Sequence, residues 1–169
     1  MTQTIEQLAR QGWFIQDGRL IVGEPAAGQR VASPVLREAR LAALHPQVVM
    51  AAAQYIRSGL YAAAVFESMK AVVNRVKSMT GLDRDGVDLM NRVFSAQGPL
   101  LILGGSATTT QRNVQAGYRE LFVGAVQAIR NPPAHEPMES MDVGEAFELL
   151  SLASLLMRQL DIATSAPTP

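Results

Sequence analysis

Residues 60–80 carry the pattern that most narrows the choice of fold. Val65, Met69, Val72, Val76 and Met79 recur at alternating spacings of four and three, which winds them into one stripe along a helix. Glu67, Lys70, Asn74 and Lys77 keep the same rhythm two residues out of phase and fall on roughly the opposite face. A helix divided in this way buries one side against other apolar helices and offers charge on the other.

The rest of the chain supplies such partners, separated by proline and glycine. Pro34 opens a helix expected to stop near His45, and Pro46 suits the first turn of the next, which Ser58 and Gly59 interrupt. Gly81 ends the central helix, and GLDRDGVDLMNRVFS gives a short one. LILGGSATTT lacks the lysine and the glycine spacing of a phosphate loop, so it reads as a loop leading to a helix start near Thr110. Over 111–130 the apolar residues Val114, Tyr118, Leu121, Ala125 and Ala128 keep helical period, and Phe122 and Ile129 widen the stripe. Gly117 and Gly124 lie seven apart, nearly on one face, where another helix can approach closely. The segment 141–162 is apolar nearly all round at Leu149, Leu150, Leu152, Leu155, Leu156 and Met157, as befits a helix central to a bundle or shared with a partner chain.

Ahead of the helices, GWFIQDGRLIVGE has two short apolar runs flanking Asp17 and Gly18, a pair suited to a two-residue hairpin turn. Two strands alone are marginal in water, so Trp13, Phe14, Leu20 and Val22 are expected to pack on the helices or on a second copy of the chain. The expected organisation is an N-terminal segment over 1–33 with the hairpin and a loop at 23–33, a helical domain over 34–162, and a disordered tail over 163–169. The fold class is mainly α.

Composition closes off several functions. The 169 residues include no cysteine and two histidines, His45 and His135, so disulfides and thiolate metal sites are out and a transition metal would depend mainly on carboxylates. No metal or cofactor is expected. A formal net charge of zero argues against a protein that coats nucleic acid non-specifically. The charge is unevenly spread: residues 30–130 carry twelve Lys or Arg against six Asp or Glu, while residues 131–169 carry Arg158 against six acids. Thirteen of the fifteen cations are arginine, the better residue for forked contact with phosphate or carboxylate. The start of the chain lacks a basic and apolar leader, and no run approaches a membrane span, so a cytoplasmic protein with no membrane partner is expected.

Chemistry concentrates in RNPPAH. Arg130, Asn131 and His135 lie within about two helical turns of one another, directly after an apolar helix. Asn131 precedes two prolines and is expected to leave helical conformation, ending or kinking the helix. Histidine can act as acid or base near neutral pH, arginine stabilises added charge on a phosphoryl group, and asparagine orients the ring or the substrate. These are the parts for metal-independent RNA cleavage, in which a ribose 2′-hydroxyl attacks its own neighbouring phosphate; DNA lacks that hydroxyl. An arginine at a helix end is also a common dipole partner, and a histidine after prolines a common turn residue.

RNPPAHE after LFVGAVQAI, preceded by the helix with VFESMKAVVNRVK, resembles the HEPN superfamily, whose signature is Arg-Asn, three residues, then His at the end of a helical bundle. More narrowly, the stretch over residues 45–160 resembles the conserved hypothetical Ymh proteins, common in phage, prophage and defence-associated settings. The resemblance implies a HEPN-like helical bundle that dimerises so that two motifs face one cleft, acting on RNA as a metal-independent endoribonuclease, a toxin or abortive-infection effector, with an antitoxin or defence-system protein as a further partner. Arg130, Asn131 and His135 match the catalytic positions. Glu67 and Lys70, with Asn74 on the same face, resemble the charged residues a neighbouring helix lends to the cleft; read locally, Glu67 and Lys70 are a helix-surface pair. Arg112 and Arg119, seven apart on the helix leading to the motif, are candidates to hold RNA or to pair with the acidic last helix. Glu136 and Pro137 follow His135 where some HEPN toxins carry a tyrosine for nucleotide transfer, which argues against that regulation here. The alternatives are a non-catalytic HEPN-like module binding nucleotide, RNA or a protein, and a structural dimerisation domain.

Overall fold

Two four-residue strands, β1 (Trp13–Gln16) and β2 (Arg19–Val22), pair antiparallel with Trp13 opposite Val22 and Gln16 opposite Arg19. This is the hairpin pairing that the flanking apolar runs predict. The structure, a computed structural model, describes the backbone of these strands and, in full, residues 34–105, 107–131 and 141–166. The turn at Asp17 and Gly18, the packing of the hairpin side chains, the loop 23–33, the motif residues 132–140 with His135, and the tail 167–169 lie outside the described residues.

The rest is mainly helical. The helices are α1 (Pro34–Ala42), α2 (Pro46–Arg57), α3 (Tyr61–Thr80), α4 (Gly86–Val93), α5 (Thr109–Ala125) and α6 (Val143–Ile162). α1 stops at Ala42, short of the expected His45, because the His45 ring is used to start the next helix: it accepts the Gln47 N–H beside Pro46. α3 ends at Gly81 in the left-handed region, φ +66°. α5 opens with a reciprocal capping box between Thr108 and Gln111. The second glycine of the pair before it packs against this cap. Gly105 has φ +94°, and a Cβ there would meet the Gln111 side chain at 2.7 Å.

α3 is the hub. It packs against α2, α4, α6 and the end of the α5 helix. The stripe residues Val65, Met69, Val72 and Val76 are buried with Ala64, Ser68 and Val73, while Lys70 and Asn74 on the opposite face are exposed. From α6, Phe147, Leu150, Leu156, Met157 and Leu160 enter the same core, while Leu155 on its other side is 41% exposed. Phe94 and Phe122 stack at 4.5 Å and join α4 to α5. Among the described residues, no helix is long and apolar enough to cross a membrane.

Three expectations are corrected. The α5 stripe is rotated: Gln115, Phe122, Ala125 and Val126 are the buried face, whereas Val114 is 39% and Leu121 45% exposed. Gln115 takes an inward position because its amide satisfies a buried backbone, accepting the Leu103 N–H at 2.6 Å and donating to the Leu101 carbonyl at 3.0 Å. Thr164 and Ser165, read as the start of a disordered tail, form strand β4 against β3 (Leu101–Ile102), and Ala166 N–H extends the pairing to the Leu100 carbonyl. Open backbone groups on the 100–103 segment thus find partners on both sides. The third correction, at Asn131, belongs to the site.

Gln115→Leu keeps the volume of the side chain and strands a buried N–H and a buried carbonyl. It should lower unfolding stability by about 1–3 kcal/mol in urea titration, and an unchanged midpoint would show that the amide is not needed.

Candidate active site at the end of helix α5

The last turn of the α5 helix is widened. Residues Val126–Arg130 form a π-helical turn, and the Asn131 N–H reaches back five residues to the Val126 carbonyl. Asn131 itself stays helical, at φ −72° and ψ −43°, contrary to the expectation that the following proline would push it out. The preference against helix before proline is a bias, and here the five-residue bond and a side-chain contact from Arg130 outweigh it. Arg130 is therefore presented on a continuous, widened helix end.

From there its guanidinium reaches across to α4. Arg130 Nη2 donates to Asp85 Oδ2 at 2.7 Å, and Nη1 donates to the Oδ1 of the adjacent Asn131 at 3.3 Å. Its Nε is buried with no partner among the described residues. Lys77, from α3, lies 3.4 Å from the other oxygen of Asp85. Cations from two other elements, one of them 45 residues away, converge on this carboxylate, leaving one net positive charge. Burial alone would raise the Asp85 pKa; the Gly86 N–H, Arg130 and Lys77 outweigh it and hold the carboxyl below its ordinary value. Gly86, at φ +57°, brings the start of α4 against the site, where a Cβ would sit 3.8 Å from Asn131 Oδ1.

The other sequence candidates are strung along α3 and α5 away from this corner, Arg119 about 16 Å and Arg112 about 27 Å from Arg130 along the helix axis. Glu67 and Lys70 pair with each other at 3.1 Å on the exposed side of α3. Lys70 lies about 10 Å and Glu67 about 15 Å from Lys77 along the helix axis, with the exposed Asn74 between them and Lys77. Arg119 donates to Asn91 Oδ1 on α4 at 2.8 Å and to the adjacent Glu120 at 3.0 Å, so its partners are not those of the acidic last helix. Arg112 bends back to the Ala107 carbonyl and the Thr109 hydroxyl, each at 3.1 Å. His135 lies outside the described residues. Asp85 and Asn91 escaped the sequence reading. The only signal at Asp85 is that of a helix N-cap, and nothing in the chain announces a partner 45 residues away.

A second polar cluster surrounds His45. Its Nδ1 accepts the Gln47 N–H at 3.2 Å, so the ring proton sits on Nε2, 3.0 Å from Asp161 Oδ2. Asp161 Oδ1 accepts from Arg75 at 2.6 Å, and the His45 N–H donates to the buried Ser154 hydroxyl at 2.8 Å. Every group here ties α2, α3 and α6 together. Among the described residues, no group of three or more His, Asp or Glu is placed to hold a metal ion.

Residues 42–160 match the Hypoth_Ymh family, described as a protein of unknown function. The chain belongs to this family. In this Hypoth_Ymh protein the matched span runs from the end of α1 nearly to the end of α6 and includes Lys77, Asp85, Arg130, Asn131 and His135, but not the hairpin. No curated protein and no solved structure matches the chain.

The Arg75 hydrogen bond is the main cause that holds the Asp161 carboxyl below its ordinary pKa, with burial opposing and His45 adding to the effect. A depressed carboxylate contributes stability above its unfolded pKa of about 3.9 and loses it as pH falls through the folded value. Asp161→Asn should therefore cost about 0.5–1 kcal/mol at pH 7, scaled for an exposed pair. Its deficit should shrink below about pH 4; a constant deficit across urea titrations at both pH values would contradict the ionic account.

Proposed function

We propose that this protein is a metal-independent endoribonuclease of HEPN type, acting as a toxin or phage-defence effector, in which two copies bring their Arg130, Asn131 and His135 to one cleft. The observation that carries the reading is the presentation of Arg130: a guanidinium held at 2.7 Å by Asp85 on a π-widened helix end, with Asn131 beside it and His135 four residues further on. Single π turns inside α-helices occur frequently at functional sites. The RNA 2′-hydroxyl attacks the adjacent phosphorus, the bond to the 5′-oxygen breaks, and the products are a 2′,3′-cyclic phosphate and a 5′-hydroxyl. In this reading His135 moves the proton, Arg130 meets the charge gathering on the nonbridging oxygens, and Asn131 orients the ring or the phosphate.

Arg112 and Arg119 would guide the RNA strand along α5, and Glu67, Lys70 and Asn74 would contribute polar groups from the exposed side of α3. An antitoxin or defence-system protein is the partner expected to restrain such an enzyme. One observation favours a second reading, a non-catalytic module: Arg130 already has a carboxylate partner inside the fold.

Purified protein should cleave single-stranded RNA in EDTA and leave cyclic-phosphate ends. Arg130→Ala and His135→Ala, matched to wild type in melting temperature, should each lose at least about a hundredfold in rate. Equal cleavage by all three proteins, or none by the wild type, would move the function to the non-catalytic reading.

A further inference from the structure

Asp85 occupies the N-cap position of α4, where an aspartate ordinarily accepts the N–H of the second or third helical residue. It makes no such cap bond. The carboxylate keeps only the N–H of Gly86, the first residue of that helix, and spans two cations from other elements, Arg130 at 2.7 Å on one oxygen and Lys77 at 3.4 Å on the other. A guanidinium and an ammonium facing the two oxygens of one small anion also suit the two nonbridging oxygens of a phosphate group.

We infer that Asp85 is an internal counter-anion: it fills a phosphate site formed by Arg130 and Lys77, and a phosphodiester of RNA enters by displacing it. The inference deepens the ribonuclease reading and rests on it for the identity of the anion. Exposure sets which partner moves. The Asp85 side chain is 48% exposed and has solvent to rotate into, whereas Arg130 is 19% exposed and stays in place, its Nε buried. Because the carboxyl is held ionised, the competitor is present throughout the neutral range. Half-exposed ion pairs are weak, and a phosphate takes over both charge-assisted contacts while leaving the cations where the carboxylate held them.

The test compares wild type with Asp85→Asn and Asp85→Ser, two residues that retain N-cap preference, and with each combined with Arg130→Gln. Affinity for a short single-stranded RNA is read by fluorescence anisotropy at low salt, and inorganic phosphate is tested separately as a rise in melting temperature over chloride at equal ionic strength. Removing the competing charge should tighten RNA binding about fivefold and enlarge the phosphate-dependent shift, and Arg130→Gln should abolish both gains. A gain with phosphate and none with RNA would overturn the assignment to a phosphodiester. Equal or weaker binding of both probes by whichever neutral variant folds would overturn the inference, and a loss of binding would make Asp85 a support for Arg130 instead. The two readings fail separately. RNA cleavage by the wild type with no gain in the Asp85 variants removes only the inference, while a gain that depends on Arg130 in a protein that cuts no RNA removes only the nuclease.

Discussion

Everything described here hangs on the buried stripe of α3. Val65, Met69, Val72 and Val76 are essentially inaccessible to water, and each buried aliphatic side chain contributes on the order of 1.5–3 kcal/mol relative to exposure. Because α2, α4, α6 and the end of the α5 helix all close on that one helix, its rotation is set from several sides. That setting also places Lys77, one step off the stripe, against Asp85. The corner around Arg130 inherits its rigidity from apolar packing in which it takes no part.

The charge pattern takes on a different meaning once contacts are known. A basic middle and an acidic end suggest attraction between the two, yet the ion pairs of described residues are mostly made within the middle: Arg57 with Glu38, Arg84 with Asp88, Arg119 with Glu120, and Arg130 and Lys77 with Asp85. Asp161 is the residue of the last helix that joins in, through Arg75 and His45. Local carboxylates neutralise local arginines, and the field near the α4–α5 seam is correspondingly modest.

Helix order, the proline starts, the glycine stops and the two faces of α3 are all legible in the sequence, because each follows from local propensity or from a period the chain repeats for five turns. The site is legible only in part. Arg130 and Asn131 stand out by type and spacing, whereas Asp85 does not, since its role depends on which way a cap residue turns. Gln115 is absent from the apolar stripe and lies inside, because the backbone of the preceding 101–103 segment needs its amide. Val114 and Leu121 read as core and stay exposed, because periodicity identifies an apolar face without saying whether a neighbour reaches it.

The π turn has a bearing on how this corner can vary. Relative to a regular α-helix it contains one extra residue, and the exposed Gln127 and Ala128 carry the slack on the solvent side. Phe122 and Val126 keep their places in the core upstream of it, while everything downstream is turned by about 100°. The helix is thus two registers spliced together, one answering to packing and the other to Arg130. A lineage that lost a single residue here would close the turn into a regular α-helix with its arginine still facing this corner, whereas the same residues wound as an α-helix would turn it away.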